Sequence, residues 1–565
     1  MGFVKFGAGG FGLGGSPALV RGRAAIVPPF LTGTLMDTLE VTVWPGSYPY
    51  VVNAYGRQIQ VSDDGLTGWA DFGSEMTGTT VTLSGVNGKF IRVVETAFGI
   101  GRSEASISAP VGPVVDLVEL PALPMAAGAK VMSLGHSFIQ RGAFSNNMGV
   151  HSSCVRGAMS WVRLWDHRFN TDMWYDASIA WMTGANQIAG SHSGVAGDHL
   201  VKEGNAPGTI ERTPWIAARQ PNIVHLDNGT NDISSGDGVT SAAHVITRLD
   251  RQMAMLRNEG IWCVIQTITD RGAWPEGSEK ALIVAGVNEW IKAQSGRDGL
   301  RVLDITGLGF NYPTFDASLF GSDILHPNPK GGKAIASALL PILQEMVEPG
   351  ETWNLDPADG NIWPSNGLLG TTGTISATYG SGQVATGHRV TRNSGSAVAA
   401  VCSKEVVDGT YEKQVIQFTS IGGGARGENW RFVYGSAATL LSALGLVEGD
   451  WFEMLMYLEF SASPLWNSIS LQAELYQSTT LRISSGTGFI NPDDGTQDLP
   501  LSDGWSGWLR MMPTLVQGGV DRFRLDSRPL SIDINATAPG TGVLKISKPI
   551  IRKCTDPRPA WNLAA

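Results

Sequence analysis

The stretch NIVHLDNGTNDISSGDGVTSAAHVITRLDRQMAMLRNEGIWCVIQTIT, residues 222–269, decides the fold. It opens on a short apolar run that ends in a polar loop, Gly229-Thr230-Asn231-Asp232. A segment with apolar residues at helical spacing follows over 240–260, and a second apolar run, 261–269, closes the unit. Buried strand, helix and buried strand in that order imply a right-handed βαβ unit, with both strands parallel in one sheet covered on both faces.

The same rhythm extends in both directions. AKVMSLGHS (129–137) reads as a buried strand opening onto a loop, and SCVRGAMSWVRLWDHRF (153–169) carries apolar residues at helical spacing. Downstream come the helix KALIVAGVNEWIKAQ (280–294), the strand LRVLDIT (300–306) and the helix KGGKAIASALLPILQEMV (330–347). In such sheets ligands gather at the carboxyl ends of the strands, so the chemistry belongs in the loops that follow them.

Outside this region the periodicity changes. Residues 1–33 read as a Gly-rich arm, because GAGGFGLGG supports neither helix nor strand. Over 34–116, alternating runs such as LEVTVW, TVTLSG and KFIRVVETAF predict a β-sandwich of roughly seven strands. Its close, SGVNGKFIRVVETAFGIGRSEASISAPVG, resembles the last strands of fibronectin type III or immunoglobulin-like modules. A Pro-punctuated linker leads into an α/β domain over 117–350. Residues 351–565 return to short alternating segments, among them KQVIQFTSI, WFEMLMYLEF and GVLKISKPIIR, and predict a larger, jelly-roll-like β-sandwich.

Composition narrows the function. The 565 residues are 42% hydrophobic and 16% charged, with 71 Gly and 18 Trp, which is globular material rich in turns and aromatics. The net charge of −10, with basic residues scattered, excludes a phosphate-tracking surface, so nucleic acid is not an expected partner. Cys154, Cys263, Cys402 and Cys554 lie far apart and are expected to be packed thiols rather than metal ligands or a disulfide framework. The N-terminus lacks the pattern of a secretory signal, and no stretch holds 18 uncharged apolar residues, so a soluble product without membrane insertion is expected, kept inside its cell or released without a signal peptide.

Three strand-end loops hold the residue types of serine hydrolysis. Ser137, in Gly135-His136-Ser137-Phe138, sits where a strand-to-helix turn exposes its hydroxyl. Asn231 offers a side-chain amide to the oxygen that becomes negative in a tetrahedral transition state, a contact worth about 3 kcal/mol. Asp323 and His326 stand three apart in a turn, where a carboxylate can fix the tautomer of an imidazole able to take the serine proton. Alone, each has an ordinary reading as a helix cap, an Asx-turn or a surface loop.

Their order resembles the SGNH (GDSL-like) hydrolase family, whose blocks carry Gly-Asp-Ser, Gly, Gly-x-Asn-Asp and Asp-x-x-His. The glycine block is matched by Ser193-Gly194-Val195-Ala196-Gly197-Asp198. The resemblance covers about residues 128–348 and implies a flavodoxin-like, three-layer α/β/α domain with a parallel sheet. It implies Ser137 as nucleophile, His326 with Asp323 as acid–base pair, the N–H groups of Ser137 and Gly197 with the Asn231 amide as oxyanion hole, and no cofactor or metal. Two positions depart from the family: His136 replaces the aspartate before the nucleophile, and His192 replaces an asparagine of the glycine block. An alternative role for His136 as the base stands beside the main assignment.

The triad does not choose among lipases, thioesterases and carbohydrate O-acetylesterases. Two flanking sandwiches, with Trp430, Trp451, Trp466, Trp505 and Trp508 as candidate exposed aromatics, favour an acetylated bacterial surface polysaccharide as substrate, bound by the C-terminal sandwich; the ordinary reading of most of these tryptophans is sandwich core. The arm, module order and missing secretion signal look like a tailed-phage fibre or receptor-binding protein. That architecture implies virion proteins as partners of the arm, a location in the virion with release by lysis, and compatibility with a homotrimer. The competing readings are a non-catalytic virion adhesin and a secreted bacterial lipid or short-chain esterase.

Overall fold

The computed structural model describes residues 28–33, 35, 40–48, 51–114, 118–143, 151–171, 173–174, 189–190, 192–201, 208–235, 239–376, 378–489 and 503–562. Most of the expected N-terminal arm lies outside them. The chain forms two compact units, Met1–Leu117 and Val118–Ala565.

Among its described residues the first unit forms seven strands in two antiparallel sheets. Phe30–Gly33, Glu40–Trp44 and Thr80–Thr82 form one, and Ala70–Met76, Ala54–Ser62, Phe90–Gly99 and Arg102–Ile107 form the other. Alternation dictates this. Phe90–Gly99 buries every second residue, and Ile91 and Val93 join Val41, Val43, Ile59 and Leu83 in a separate core.

The second unit contains the α/β domain. Its strands are β1 (Ala129–Gly135), β2 (Phe169–Asn170), β3 (His192–Gly194), β4 (Ile223–Asp227), β5 (Trp262–Gln266) and β6 (Leu300–Leu303). They are parallel in the order β2-β1-β4-β5-β6, with β3 also on β1 beyond β2. Every residue of β4 is buried, as a central parallel strand covered on both faces requires. The helices are α1 (Ser137–Ala143), α2 (Ala158–Trp165), α3 (Thr209–Ala217), α4 (Thr230–Ser235), α5 (Ala242–Asn258), α6 (Glu279–Ala293) and α7 (Pro329–Met346). α2 packs on α7, while α3, α5 and α6 pack together. No helix among the described residues is long and apolar enough to cross a membrane.

Beyond Glu351 the chain builds two large, mainly antiparallel sheets. The run expected as one helix over 153–169 is divided. Only Ala158–Trp165 is helical, because His151–Cys154 pairs parallel with Ser485–Gly488 and extends a C-terminal sheet. One continuous core joins the two regions, from Val131, Trp161 and Leu339 to Phe489 and Leu509. Trp430 and Trp466 belong to that interior with 0% and 2% exposure, and Trp451 is 8% exposed, so all three take the reading as buried residues rather than as exposed aromatics. Trp430 and Trp466 fill the space between the sheets, whereas Trp451 shares the other face of its strand with Glu453 and Leu455 and lies 5.2 Å from the Arg558 guanidinium; Trp505 and Trp508 are half-buried. Cys263 and Cys402 are buried thiols, and burial pushes Cys402 up to about 12.

Candidate active site

The carboxyl edge of the sheet brings together residues 189 positions apart. Ser137 is the first residue of α1, separated from the end of β1 by His136 alone, and its Oγ lies 2.8 Å from His326 Nε2. His326 Nδ1 lies 2.6 Å from Asp323 Oδ2, and the other oxygen of Asp323 accepts from the amides of Leu325 and His326, each at 3.0 Å. Burial by itself would raise the Asp323 carboxyl. The hydrogen bonds from the His326 amide and ring and from Leu325 outweigh it and hold the group below the ordinary carboxylate value.

Local sequence shapes that turn. Ile324 takes a φ of 48°, its amide donates to Gly321 O at 2.9 Å, and Gly321 donates to His326 O at 2.7 Å. Asn328 then caps α7, its Oδ1 accepting from Lys330 and Gly331. The Phe138 ring meets the His326 ring edge-on at 5.3 Å and limits its rotation.

His136 is 1% exposed and does not compete with His326 for the serine. Its Nδ1 accepts from the Phe138 amide at 3.4 Å, and its Nε2 faces Asp227 Oδ1 at 3.7 Å. Burial, with Arg271, His326, Arg212 and His199 nearby, pushes its pKa well below the ordinary value. Asp227, at the end of β4, is pushed up to about 7 by burial.

The amides of Ser137 and Gly197 donate to no acceptor among the described residues, and Gly197 takes a φ of 76°. Asn231 lies in α4 behind Gly229, whose φ is 100°, and its Nδ2 donates to Asp198 O at 2.8 Å. One hydrogen of that amide thus ties the glycine block to the asparagine block. The other remains for a substrate oxygen. The side chain of His192 lies outside the described residues.

Two residues passed over at the sequence level complete the rim. Arg212 on α3 is fully buried and donates to Gly135 O and Ser193 O, each at 3.1 Å, to Ser193 Oγ at 2.9 Å, and to Asp198. It clamps the end of β1 to the glycine block. Burial pushes Asp198 up to about 6 against the pull of Arg212. Arg271, in the loop after β5, donates to Thr230 Oγ1 and Asn231 Oδ1, each at 2.9 Å. Arg271 stands in a strand-end loop, a place visible in the sequence although its partners are not; nothing local marks Arg212, the one arginine of α3.

No group of three or more His, Cys, Asp or Glu among the described residues is placed to hold a metal ion. A hydroxyl on an imidazole, a carboxylate behind it, and amide donors on adjoining loops can carry out acyl transfer by the chain's own groups.

Residues 133–334 match the GDSL-like Lipase/Acylhydrolase family. No curated protein matches the chain. Solved structures similar to it include a carbohydrate esterase family 3 member from Talaromyces cellulolyticus, 19% identical over 38% of this chain and 96% of that one, with a TM-score of 0.26. A GDSL-like lipase from Bacteroides thetaiotaomicron is 11% identical over 38% and 87%, with a TM-score of 0.26. An alpha/beta hydrolase enzyme from the metagenome of Lake Arreo, Spain, is 16% identical over 40% and 100%, with a TM-score of 0.29.

Proposed function

We propose that this chain, whose central domain matches the GDSL-like lipase/acylhydrolase family, is a serine esterase with Ser137 as nucleophile, His326 as general acid–base and Asp323 as its partner. The observation that carries the reading is the unbroken relay from Ser137 Oγ to His326 Nε2 at 2.8 Å and from His326 Nδ1 to Asp323 at 2.6 Å. His326 takes the Ser137 proton as the oxygen attacks an ester carbonyl, then returns it to the departing alcohol. The N–H groups of Ser137 and Gly197 and the Asn231 amide hold the oxyanion. Water, deprotonated by His326, releases the acid and restores Ser137.

The substrate we propose is an O-acetyl group on a bacterial surface polysaccharide. The setting is a phage tail fibre or receptor-binding protein, with fibronectin- or immunoglobulin-like and jelly-roll-like modules at its ends, the arm joined to other virion proteins and a homotrimer as its assembly. Support for glycan binding by the C-terminal sandwich is narrower than its tryptophan content suggested, since of the five candidates only Trp505 and Trp508 keep exposed surface.

The test is hydrolysis of p-nitrophenyl acetate and release of acetate from acetylated polysaccharide. Ser137→Ala is expected to lower kcat at least about 10³-fold. An unchanged rate would remove Ser137 from the mechanism. Faster hydrolysis of long acyl chains than of acetate would favour a lipid ester instead. Glycan binding without acetate release would leave an adhesin.

A further inference from the structure

Arg271 has an unusual environment for a cation. It is 8% exposed, its guanidinium lies 4.5 Å from the centre of the Trp274 ring, and among the described residues no carboxylate pairs with it. Burial pushes its pKa down to about 10. Burying a charge without a counter-ion is costly, so its retention at this spot needs a compensating negative charge or a fixed partner.

Its hydrogen bonds identify the partner. NH2 donates to Asn231 Oδ1 and Nε to Thr230 Oγ1, each at 2.9 Å, so the guanidinium grips the turn that carries the oxyanion amide. A guanidinium only donates and therefore selects the oxygen of that amide, while the Asp198 carbonyl, 2.8 Å from Nδ2, only accepts and selects the nitrogen. Together they forbid the flipped amide, which would present an oxygen to the oxyanion. The next residue ties this loop to the acid–base turn: Gly272 N donates to Ile324 O at 3.0 Å, and a Cβ at 272 would stand 2.6 Å from Ile324 Cγ2, so only glycine permits the approach.

We propose that Arg271 is the positioning residue of the oxyanion site, holding the Asn231 amide nitrogen toward the substrate oxygen and placing its charge behind that amide. The proposal rests on the serine-esterase reading. The negative charge that offsets the buried guanidinium appears only as the tetrahedral oxyanion forms, so the contribution falls on the transition state rather than on substrate binding.

The experiment is a double-mutant cycle on p-nitrophenyl acetate with the full chain, using Arg271→Ala, Asn231→Ala, the double variant and Ser137→Ala. Arg271→Ala is expected to lower kcat about 10²-fold while KM changes less than about threefold. Because Arg271 acts through Asn231, the double variant should fall no more than about threefold below the poorer single variant. Millimolar guanidinium should restore Arg271→Ala and leave Asn231→Ala unchanged. Multiplicative losses in the double variant, a raised KM at constant kcat, or failure of guanidinium to restore activity would each overturn the proposal. Should the alanine variant not fold, Arg271→Lys serves: it keeps the charge but cannot make both bonds, and about a tenfold loss in kcat at steady KM is expected. Wild-type kcat in the lysine variant overturns the proposal. If Ser137→Ala is inactive and Arg271→Ala fully active, only the role of Arg271 falls; if Ser137→Ala is active, the esterase reading itself falls.

Discussion

His225 and His388 are buried away from the catalytic rim, and each is held by partners that suit a neutral ring. His388 Nε2 accepts from the Trp363 indole at 3.2 Å, and its Nδ1 lies 3.2 Å from Thr386 O. His225 lies between Ser133 Oγ at 3.5 Å and Gln266 Oε1 at 3.2 Å. Burial pushes both down to about 4, from 6.5 in an unfolded chain. The unfolded state therefore binds more protons below 6.5, so the stability these rings contribute is complete above that pH and is lost as pH falls toward 4. Each amounts to about 3 kcal/mol at most. Asp227 has the opposite sign: raised to about 7 from 3.8, it costs stability as pH climbs through that window. Urea unfolding midpoints should drop from pH 7 to pH 4.5, and His388→Gln should flatten part of that slope. An unaltered slope in the variant would show that His388 is charged in the fold.

At the level of elements, the nucleophile turn depends on backbones approaching more closely than side chains allow. A Cβ on Gly194 in β3 would stand 2.4 Å from Gln140 N and 3.0 Å from His136 O, so β3 can lie against the start of α1 only without one. A Cβ on Gly135 would stand 2.5 Å from Asp227 O, where β1 and β4 meet. Gly194→Ala is expected to displace α1, cost about 2 kcal/mol or more and reduce esterase activity further than its loss of stability explains. Thermal unfolding and kcat measured together check this, and full activity at unchanged stability would contradict it. The sequence marks Gly194 only as part of a signature block; the requirement for glycine comes from what packs above it. Likewise, apolar spacing around 153–169 suggested a longer helix, because the extended sheet edge that recruits His151–Cys154 lies more than 300 residues away.

Across the whole molecule, the catalytic and C-terminal regions do not separate as their different periodicities suggested. His151–Cys154 extends the C-terminal sheet, Val155 N donates to Gly488 O at 2.8 Å, and Arg156 Nε donates to Pro327 O at 3.3 Å, the residue after His326. The chain end returns to the α/β domain, where Asn562 Nδ2 donates to Ala218 O at 3.0 Å and Lys130 Nζ to Ala560 O. Truncation after Gly350 should therefore leave an inactive or insoluble fragment, because it uncovers Trp161 and the shared core. Removal of residues 1–117, which hold their own core, should leave aryl-ester hydrolysis within about twofold of the full chain. Purified truncations assayed for solubility and kcat decide both, and an active fragment ending at 350 would refute the first. Strand and helix identity, the parallel sheet and the loops bearing Ser137, Asn231, Asp323 and His326 were legible in the linear chain, because hydrophobic period and turn residues are local properties. The clamps of Arg212 and Arg271, the inward His136 and Asp227, and the burial of Trp430, Trp451 and Trp466 arise from contacts between residues distant in sequence. Only folding brings such partners within hydrogen-bonding or packing distance, so their identity cannot be read from spacing.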